Sequence, residues 1–332
     1  MSTVMIPPDA APAFLAKVGW EDAQILPLAG DASFRRYFRV VRGASVAVLM
    51  DAPPPHEDAT PFIAVSDYLN AHGFSAPAVL AADLDIGLVL IEDFGEIRMR
   101  ETIDAAPEME RPLYRDTVEL LVTLSAKPAM ALKPYSIGEY QRELAIFTEW
   151  YCSALSLDVD VNAYVALWDR LLAKVVGSSA VPVTVLRDYH AENIMLVPGR
   201  EGISRIGLLD FQDALVGHPA YDLVSMLQDA RRDVSAEIEA DMLALYQQKA
   251  SPAADFEAAY HILGVQRNLK ILGIFTRLWK RDDKPRYRAF QPRVWAYLER
   301  SLDHPALAEM KDWLNRNIPE RRRAAAWTDF AQ

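Results

Sequence analysis

Between residues 186 and 213 the chain reads Leu-Arg-Asp-Tyr-His-Ala-Glu-Asn. Seventeen positions beyond Asn193, a second apolar run closes on Asp210-Phe-Gln-Asp213. The intervening residues form two β-prone runs, Ile194 to Val197 and Ile206 to Leu209, parted by Pro198-Gly199, a pattern that predicts a hairpin. A hairpin brings its ends together, so Asn193 and Asp210 are expected side by side. Asp188 precedes Asn193 by five residues, and apolar Val181 to Leu186 suits a buried segment leading into the loop. A bare Asp-x-x-x-x-Asn also arises by chance among turn and cap residues; the flanking strands lift this one above that. An Asp, an Asn five residues on and an Asp ending a strand are the side chains of phosphoryl transfer. The first Asp takes the proton of an attacking hydroxyl, and the amide and second carboxylate hold magnesium on nucleotide phosphates. Magnesium is a hard cation and prefers such oxygen ligands. Asp188 is therefore the candidate base, and Asn193 and Asp210 are the candidate Mg2+ ligands.

The rest of the chain divides into two textures. Ile25 to Leu28, Tyr37 to Val41 and Ser45 to Met50 read as strands, broken by Gly30-Asp31 and Arg42-Gly43. Pro61 to His72 reads as a helix with Thr60 as its N-cap and Gly73 after its end, and strands follow at Ala78 to Ala82 and Gly87 to Ile91. Beyond Gly95 come amphipathic helical periods: Glu108 to Ser125, Gly138 to Ala154, Asn162 to Val176, Pro219 to Ala230, Ala236 to Gln248, Pro252 to Lys280 and Arg288 to Leu302. The expectation is an α+β chain of two lobes, a β-rich nucleotide-binding lobe over 1–94 and a larger helical lobe over 95–332 carrying the catalytic loop and acceptor site.

At 332 residues with a formal charge of −11, the chain can bury a substantial core and repels nucleic acid and anionic membrane alike. No apolar run approaches the roughly 20 residues of a membrane span, and the first residues lack the pattern of an export signal. Cys152 is the only cysteine, so no internal disulfide forms; together these features predict a cytoplasmic protein, a monomer by default. No His, Cys or Asp cluster has zinc spacing. Asp93-Phe94-Gly95 spells the magnesium tripeptide of protein kinases but lies far upstream of Asp188, whereas the metal Asp must follow the catalytic loop. Glu92, Asp93 and Phe94 are instead expected at the hinge, where backbone groups meet the adenine edge.

Asp188-x-His190-x-x-Asn193, Asp210-Phe211-x-Asp213 and Gly217-His218-Pro219-x-x-Asp222-Leu223 resemble the motifs of the aminoglycoside phosphotransferase family, a branch of the protein-kinase-like fold. Leu28 to Phe38, Val48 to Pro53, Leu208 to Ala214, Gln228 to Asp233 and Val265 to Gly273 resemble a narrower group within it, the anomeric kinases of N-acetylmuramate and N-acetylglucosamine in cell-wall recycling. The resemblance implies a small antiparallel N-terminal sheet, a mainly helical remainder, and transfer of the ATP γ-phosphate to the C1 hydroxyl of an amino sugar, with Asp188 accepting the C1 proton. One departure stands out. Where kinases carry a third-strand Lys this chain has Met50, and no acidic residue opens the following helix to pair with it. Arg35 and Arg36, with Ser33 in the loop over the nucleotide, are the candidates to meet the phosphates.

Residues 267–293 hold nine Lys or Arg against two Asp. Most of these read as a solvated face; Arg267, Asn268 and Lys270 are the candidates for the acceptor pocket, where a cation would suit the lactyl carboxylate of N-acetylmuramate. His190 is expected to orient its loop, Asp213 to neighbour the metal or cap a turn, and Asp222 to accept backbone hydrogen bonds at a helix start. Two other readings stay open at this point: a kinase of another small alcohol such as choline or an aminoglycoside, and a nucleotide-binding module without catalysis.

Overall fold

A computed structural model describes residues 5–30 and 34–323. Ser33 lies outside the described residues. The chain forms two compact units, Met1–Pro107 with Asn193–Asp213, and Glu108–Glu192 with Ala214–Gln332.

The first unit opens with α1 (Ala11–Lys17), followed by β1 (Gln24–Gly30), β2 (Arg36–Arg42) and β3 (Ser45–Asp51). After α2 (Thr60–Ala71) come β4 (Val79–Asp83) and β5 (Leu88–Glu92), and the five strands form one antiparallel sheet in the order β1-β2-β3-β5-β4. The alternation in β2 buries Phe38 and Val40 on one face, and central β3 is buried from Ala47 to Asp51. Phe38, Val40, Ala47, Leu49, Leu88 and Leu90 pack there with Phe14 and Leu15 of α1. The N-cap position of α2 falls at Ala59, not Thr60; the Asp58 carboxylate accepts the Thr60 N–H at 2.8 Å, and Gly73 follows the helix at φ +85°.

Within the first unit, α3 (Met99–Ala105) packs with the hairpin. Its short bridge, Arg98 to Met195, and a second bridge, Ser75 to Gly207, tie residues 193–213 into the first unit. Phe94 is buried with Met195 and Val197, and half-buried Leu209 packs against them. Gly207 answers to that packing: a Cβ there would stand 2.8 Å from the Phe94 ring and 2.7 Å from Val197.

The second unit is built from α4 (Glu110–Ser125), α5 (Ile137–Ile146) and α6 (Val161–Val176), a short strand β6 (Val183–Val185), and later α7 (Ala220–Leu227), α8 (Ala236–Ala250), α9 (Phe256–Lys280), α10 (Gln291–Leu302) and α11 (Ala308–Asn317). The 25-residue α9 contacts α5, α6, α7 and α10, and its apolar residues are buried along nearly the whole length. The α5 period runs on through a π-helical turn, Phe147–Cys152, and Gly273 of α9 sits against it; a Cβ at Gly273 would lie 2.5 Å from the Ile146 carbonyl oxygen. Helix α7 stops at Leu227, three residues short of the expected end, and the chain turns through Gln228 to Asp233.

Candidate functional site

The hairpin forms as the spacing requires. Strands β7 (Ile194–Leu196) and β8 (Ile206–Leu208) pair antiparallel, Ile194 opposite Leu208. Just beyond that pair, the Leu209 N–H donates to the Asn193 carbonyl at 3.0 Å, and the Asn193 Nδ2 lies 3.3 Å from Asp210 Oδ2. Gln212 Nε2 donates to Asp210 Oδ1 at 2.8 Å. Asp210 sits at φ +59°, a left-handed conformation uncommon outside glycine, and the buried Phe211 ring, stacked on Phe62 at 5.0 Å, anchors the turn. Asp213 lies exposed in the turn after it.

The donor set fits magnesium. A carboxylate with two oxygens and an amide whose rotation about χ2 exchanges Nδ2 for Oδ1 offer hard ligands from two adjacent side chains. Among the described residues no group of three or more His, Cys, Asp or Glu could hold a metal, which argues against an all-protein cage. Two protein ligands, with waters and phosphate oxygens filling the octahedron, are what magnesium ordinarily uses.

The residues expected around the nucleotide have partners of their own. Arg36 sits across the strands from Asp51 and donates to Asp51 Oδ2 through Nε at 2.8 Å and Nη2 at 2.5 Å, and through Nη1 to the Ile6 carbonyl at 3.1 Å. Arg35 is largely buried with Nε 3.5 Å from Glu57, and the same carboxylate accepts the Phe34 N–H at 3.1 Å. Met50 is fully buried in β3. Glu92 pairs with Arg200, and Asp93 accepts Arg39 Nε at 2.7 Å and the Gly95 N–H at 2.7 Å. Phe94 lies in the core, so the side chains of all three residues are engaged within the protein, and the Glu92 N–H donates to the Ala78 carbonyl at 2.9 Å.

In the second unit, the segment leading into Asp188 is held by α7. Asp222, in the first turn, accepts the Leu186 N–H at 2.6 Å and the Arg187 N–H at 2.8 Å. Burial pushes the Asp222 carboxyl up to about 7, against those two N–H groups. Ser225 Oγ donates to the Arg187 carbonyl at 3.1 Å, and Arg187 stands at φ +70°. Tyr189 is buried, its hydroxyl donating to the Thr117 carbonyl at 2.8 Å. His190 is buried with Nε2 3.1 Å from Arg231 Nη1; burial, then the Arg231 charge, lowers its pKa to about 3 and keeps the ring neutral.

The acceptor candidates on α9 each have protein partners. Arg267, buried, donates to Ser225 Oγ at 2.6 Å and so supports the Arg187 carbonyl at one remove. Asn268, fully buried, donates to Gln228 Oε1 at 2.7 Å. Lys270 Nζ lies 2.8 Å from Glu143 Oε1 and 3.5 Å from the Tyr221 hydroxyl. Glu143 is the hub there: Arg187 Nη2 reaches Oε1 at 2.5 Å, and Oε2 accepts the Tyr135 hydroxyl at 2.6 Å and Gln266 Nε2 at 3.0 Å. Burial alone would raise the Glu143 pKa; the charges of Lys270 and Arg187 and the hydrogen bonds of Lys270 and Tyr135 overcome it and hold the carboxyl at about 2. Glu143 and Ser225 carried no signal in the chain beyond ordinary helix composition. Asp229 and Arg231 stand in the Gln228 to Asp233 stretch that carries the resemblance, and Arg187 adjoins the candidate base, but nothing in the sequence assigns these three a role.

Comparison with known proteins accords with this arrangement. The model of the phosphotransferase enzyme family matches residues 24–262. The chain is 39% identical to the N-acetylmuramate/N-acetylglucosamine kinase of Caulobacter vibrioides, over 95% of this chain and 97% of that protein. It is 35% identical to the protein of the same name from Pseudomonas aeruginosa, over 91% and 92%. Among solved structures, the streptomycin–ATP ternary complex of APH(2'')-IIa superposes with a TM-score of 0.58 at 15% identity, covering 91% of this chain and 98% of that one. Choline kinase LicA from Streptococcus pneumoniae gives 0.60 at 11% identity, covering 91% and 100%. At such identities the two structures speak to the fold alone, and they bear out a protein-kinase-like architecture. With a family match over most of its length and near full-length relatives, the chain belongs to the phosphotransferase enzyme family.

Proposed function

We propose that this protein transfers the γ-phosphoryl group of ATP to the C1 hydroxyl of N-acetylmuramate or N-acetylglucosamine, giving the sugar 1-phosphate and ADP. The observation that carries the reading is likeness over 95% of the chain to a protein named for those two sugars. The approach of Asn193 and Asp210 to 3.3 Å supports the chemistry.

Asp188 accepts the proton as the C1 oxygen forms its bond to Pγ and the bond from Pγ to the β-phosphate oxygen breaks. An anomeric hydroxyl is more acidic than an ordinary alcohol, so an unexceptional carboxylate suffices as base. Asn193 and Asp210 hold Mg2+, which, when bound, neutralises charge developing on the phosphate oxygens. Asp222, Ser225 and, through Ser225, Arg267 fix the backbone on which Asp188 stands. The hinge residues 92–94 present backbone to adenine, and Arg35 and Arg36 are the cations for the phosphates. The reaction belongs in the cytoplasm, where ATP is, among the steps that recover cell-wall sugars.

The test is incubation with γ-labelled ATP and magnesium against both amino sugars, choline, an aminoglycoside and a generic protein. Label in an acid-labile sugar phosphate is the expected outcome, because glycosyl phosphates hydrolyse readily. Label in choline or the aminoglycoside overturns the acceptor assignment. Asp188→Asn should abolish turnover while sparing nucleotide binding; substantial residual turnover removes Asp188 as the base.

A further inference from the structure

Two straps hold the segment that carries Asp188, and only the first contains a residue, Asp222, for which the sequence suggests that work. The first is Asp222 with Ser225, gripping Leu186 and Arg187. The second lies on the other side of Asp188, in the turn after α7. There one carboxylate, Asp229, fully buried, bridges two pieces of backbone: Oδ2 accepts the Ala191 N–H at 3.2 Å and Oδ1 accepts the Arg231 N–H at 2.8 Å. That places the Arg231 guanidinium, whose Nη1 reaches the buried His190 Nε2 at 3.1 Å and whose Nε lies 3.2 Å from Glu192.

The chemistry of the contact is specific. A guanidinium donates and never accepts, so His190 Nε2 must offer its lone pair and the ring proton sits on Nδ1. A planar fork can hold a ring nitrogen and a carboxylate at once, in fixed directions; an ammonium cannot. Arg231 thus joins three successive residues of the segment: Ala191 through the shared Asp229, His190 and Glu192 directly. The next residue in the chain is Asn193.

We propose that Arg231 is a positioning residue for phosphoryl transfer, clamping His190 and Glu192 so that Asp188 is held between two straps in one conformation. The proposal rests on Asp188 being the base. The Arg231 guanidinium is engaged by His190 and Glu192, so its loss is expected to misplace the base and not to remove a binding contact. A misplacement of this kind lowers kcat on the order of 10- to 100-fold.

The experiment compares Arg231→Ala and Arg231→Lys with the unaltered full-length enzyme, using the labelled-ATP assay and circular dichroism. Arg231→Ala should lose kcat in that range, with KM for ATP and sugar within roughly 2-fold, because binding groups are intact. The Arg231 side chain is 29% exposed, so the space it vacates opens to solvent. Millimolar guanidinium, far below denaturing levels, should therefore restore much of the lost kcat. Arg231→Lys should recover little. A kcat for Arg231→Ala within 2-fold of the parent overturns the proposal, as does a loss that guanidinium leaves unchanged. Should Arg231→Ala fail to fold, Arg231→Gln keeps an uncharged polar side chain over part of the same path and reads out the same comparison. Asp188→Asn separates the two claims: an active Asp188→Asn sinks the base, whereas an inactive one beside a fully active Arg231→Ala sinks only the strap.

Discussion

Glu143 offers the sharpest test of how the helical unit supports Asp188. Its side chain is 6% exposed, and the cations it holds, Lys270 and Arg187, are 11% and 19% exposed, so solvent screens the group little. Glu143→Gln keeps the volume but turns a carboxylate between two cations into a neutral amide. Breaking a buried pair from one side costs about 3–5 kcal/mol, since the stranded charges remain. The carboxyl's depression from the ordinary 4.5 to about 2 gives an independent figure, about 3 kcal/mol at 1.36 kcal/mol per pH unit. The sign follows from the lowered folded value. This stability is fully present above about pH 4.5 and is lost as the pH falls through about 2. Urea unfolding followed by circular dichroism should therefore show Glu143→Gln less stable by about 3 kcal/mol at pH 7, with the gap to the parent closing as the pH falls from 4.5 towards 2. Lys270→Met in the Glu143→Gln background removes one stranded charge, and the double variant should recover at least about 1 kcal/mol relative to the sum of the singles. A single variant within about 0.5 kcal/mol of the parent, or strictly additive singles, would show that the cations do not depend on this carboxylate.

Two further outcomes test the first unit. Arg36→Ala should raise the KM for ATP markedly, and it strands the 2%-exposed Asp51 carboxylate, so unfolding should also become easier by about 1–3 kcal/mol; lost stability with an unchanged KM would confine Arg36 to its cross-strand pair. Gly207→Ala places a methyl 2.8 Å from the Phe94 ring and should destabilise by about 1–3 kcal/mol in urea unfolding, while a neutral effect would mean that Phe94 shifts freely.

What could be read from the chain was what is local. The five strands of the sheet, the helix after the third strand and the hairpin beyond Asn193 each announce themselves within ten or so residues, through alternation, apolar runs and Gly or Pro at the turns. Elements that exist only through distant partners did not. The three-residue β9 (Leu215–Gly217) is a strand because β6 lies beside it, and the helical period shows no trace of the π-helical turn at Phe147–Cys152, which Gly273 accommodates from over a hundred residues away. For the same reason the hairpin's membership of the first unit, settled by bridges to Ser75 and Arg98, could not be seen in its own residues.

The cations of α9 show where such reading stops. Arg267 and Lys270 stand three residues apart on α9, yet their role depends on what faces them, and that is Ser225 and Glu143 from two other helices. Both ends of that arrangement meet at Arg187, whose carbonyl is held by Ser225 and whose guanidinium is held by Glu143. These two cations of α9 are thereby engaged, through Ser225 and Glu143, on the residue beside Asp188, the proposed base. The same logic governs Arg35 and Arg36: each has a carboxylate partner, Glu57 and Asp51, where a kinase would set its third-strand Lys against a helix Glu. Such a cation can serve a phosphate only by sharing its donors or exchanging partners. Arg36 spends Nε, Nη1 and Nη2 on Asp51 and Ile6, so meeting a triphosphate would require it to release or share at least one of those bonds.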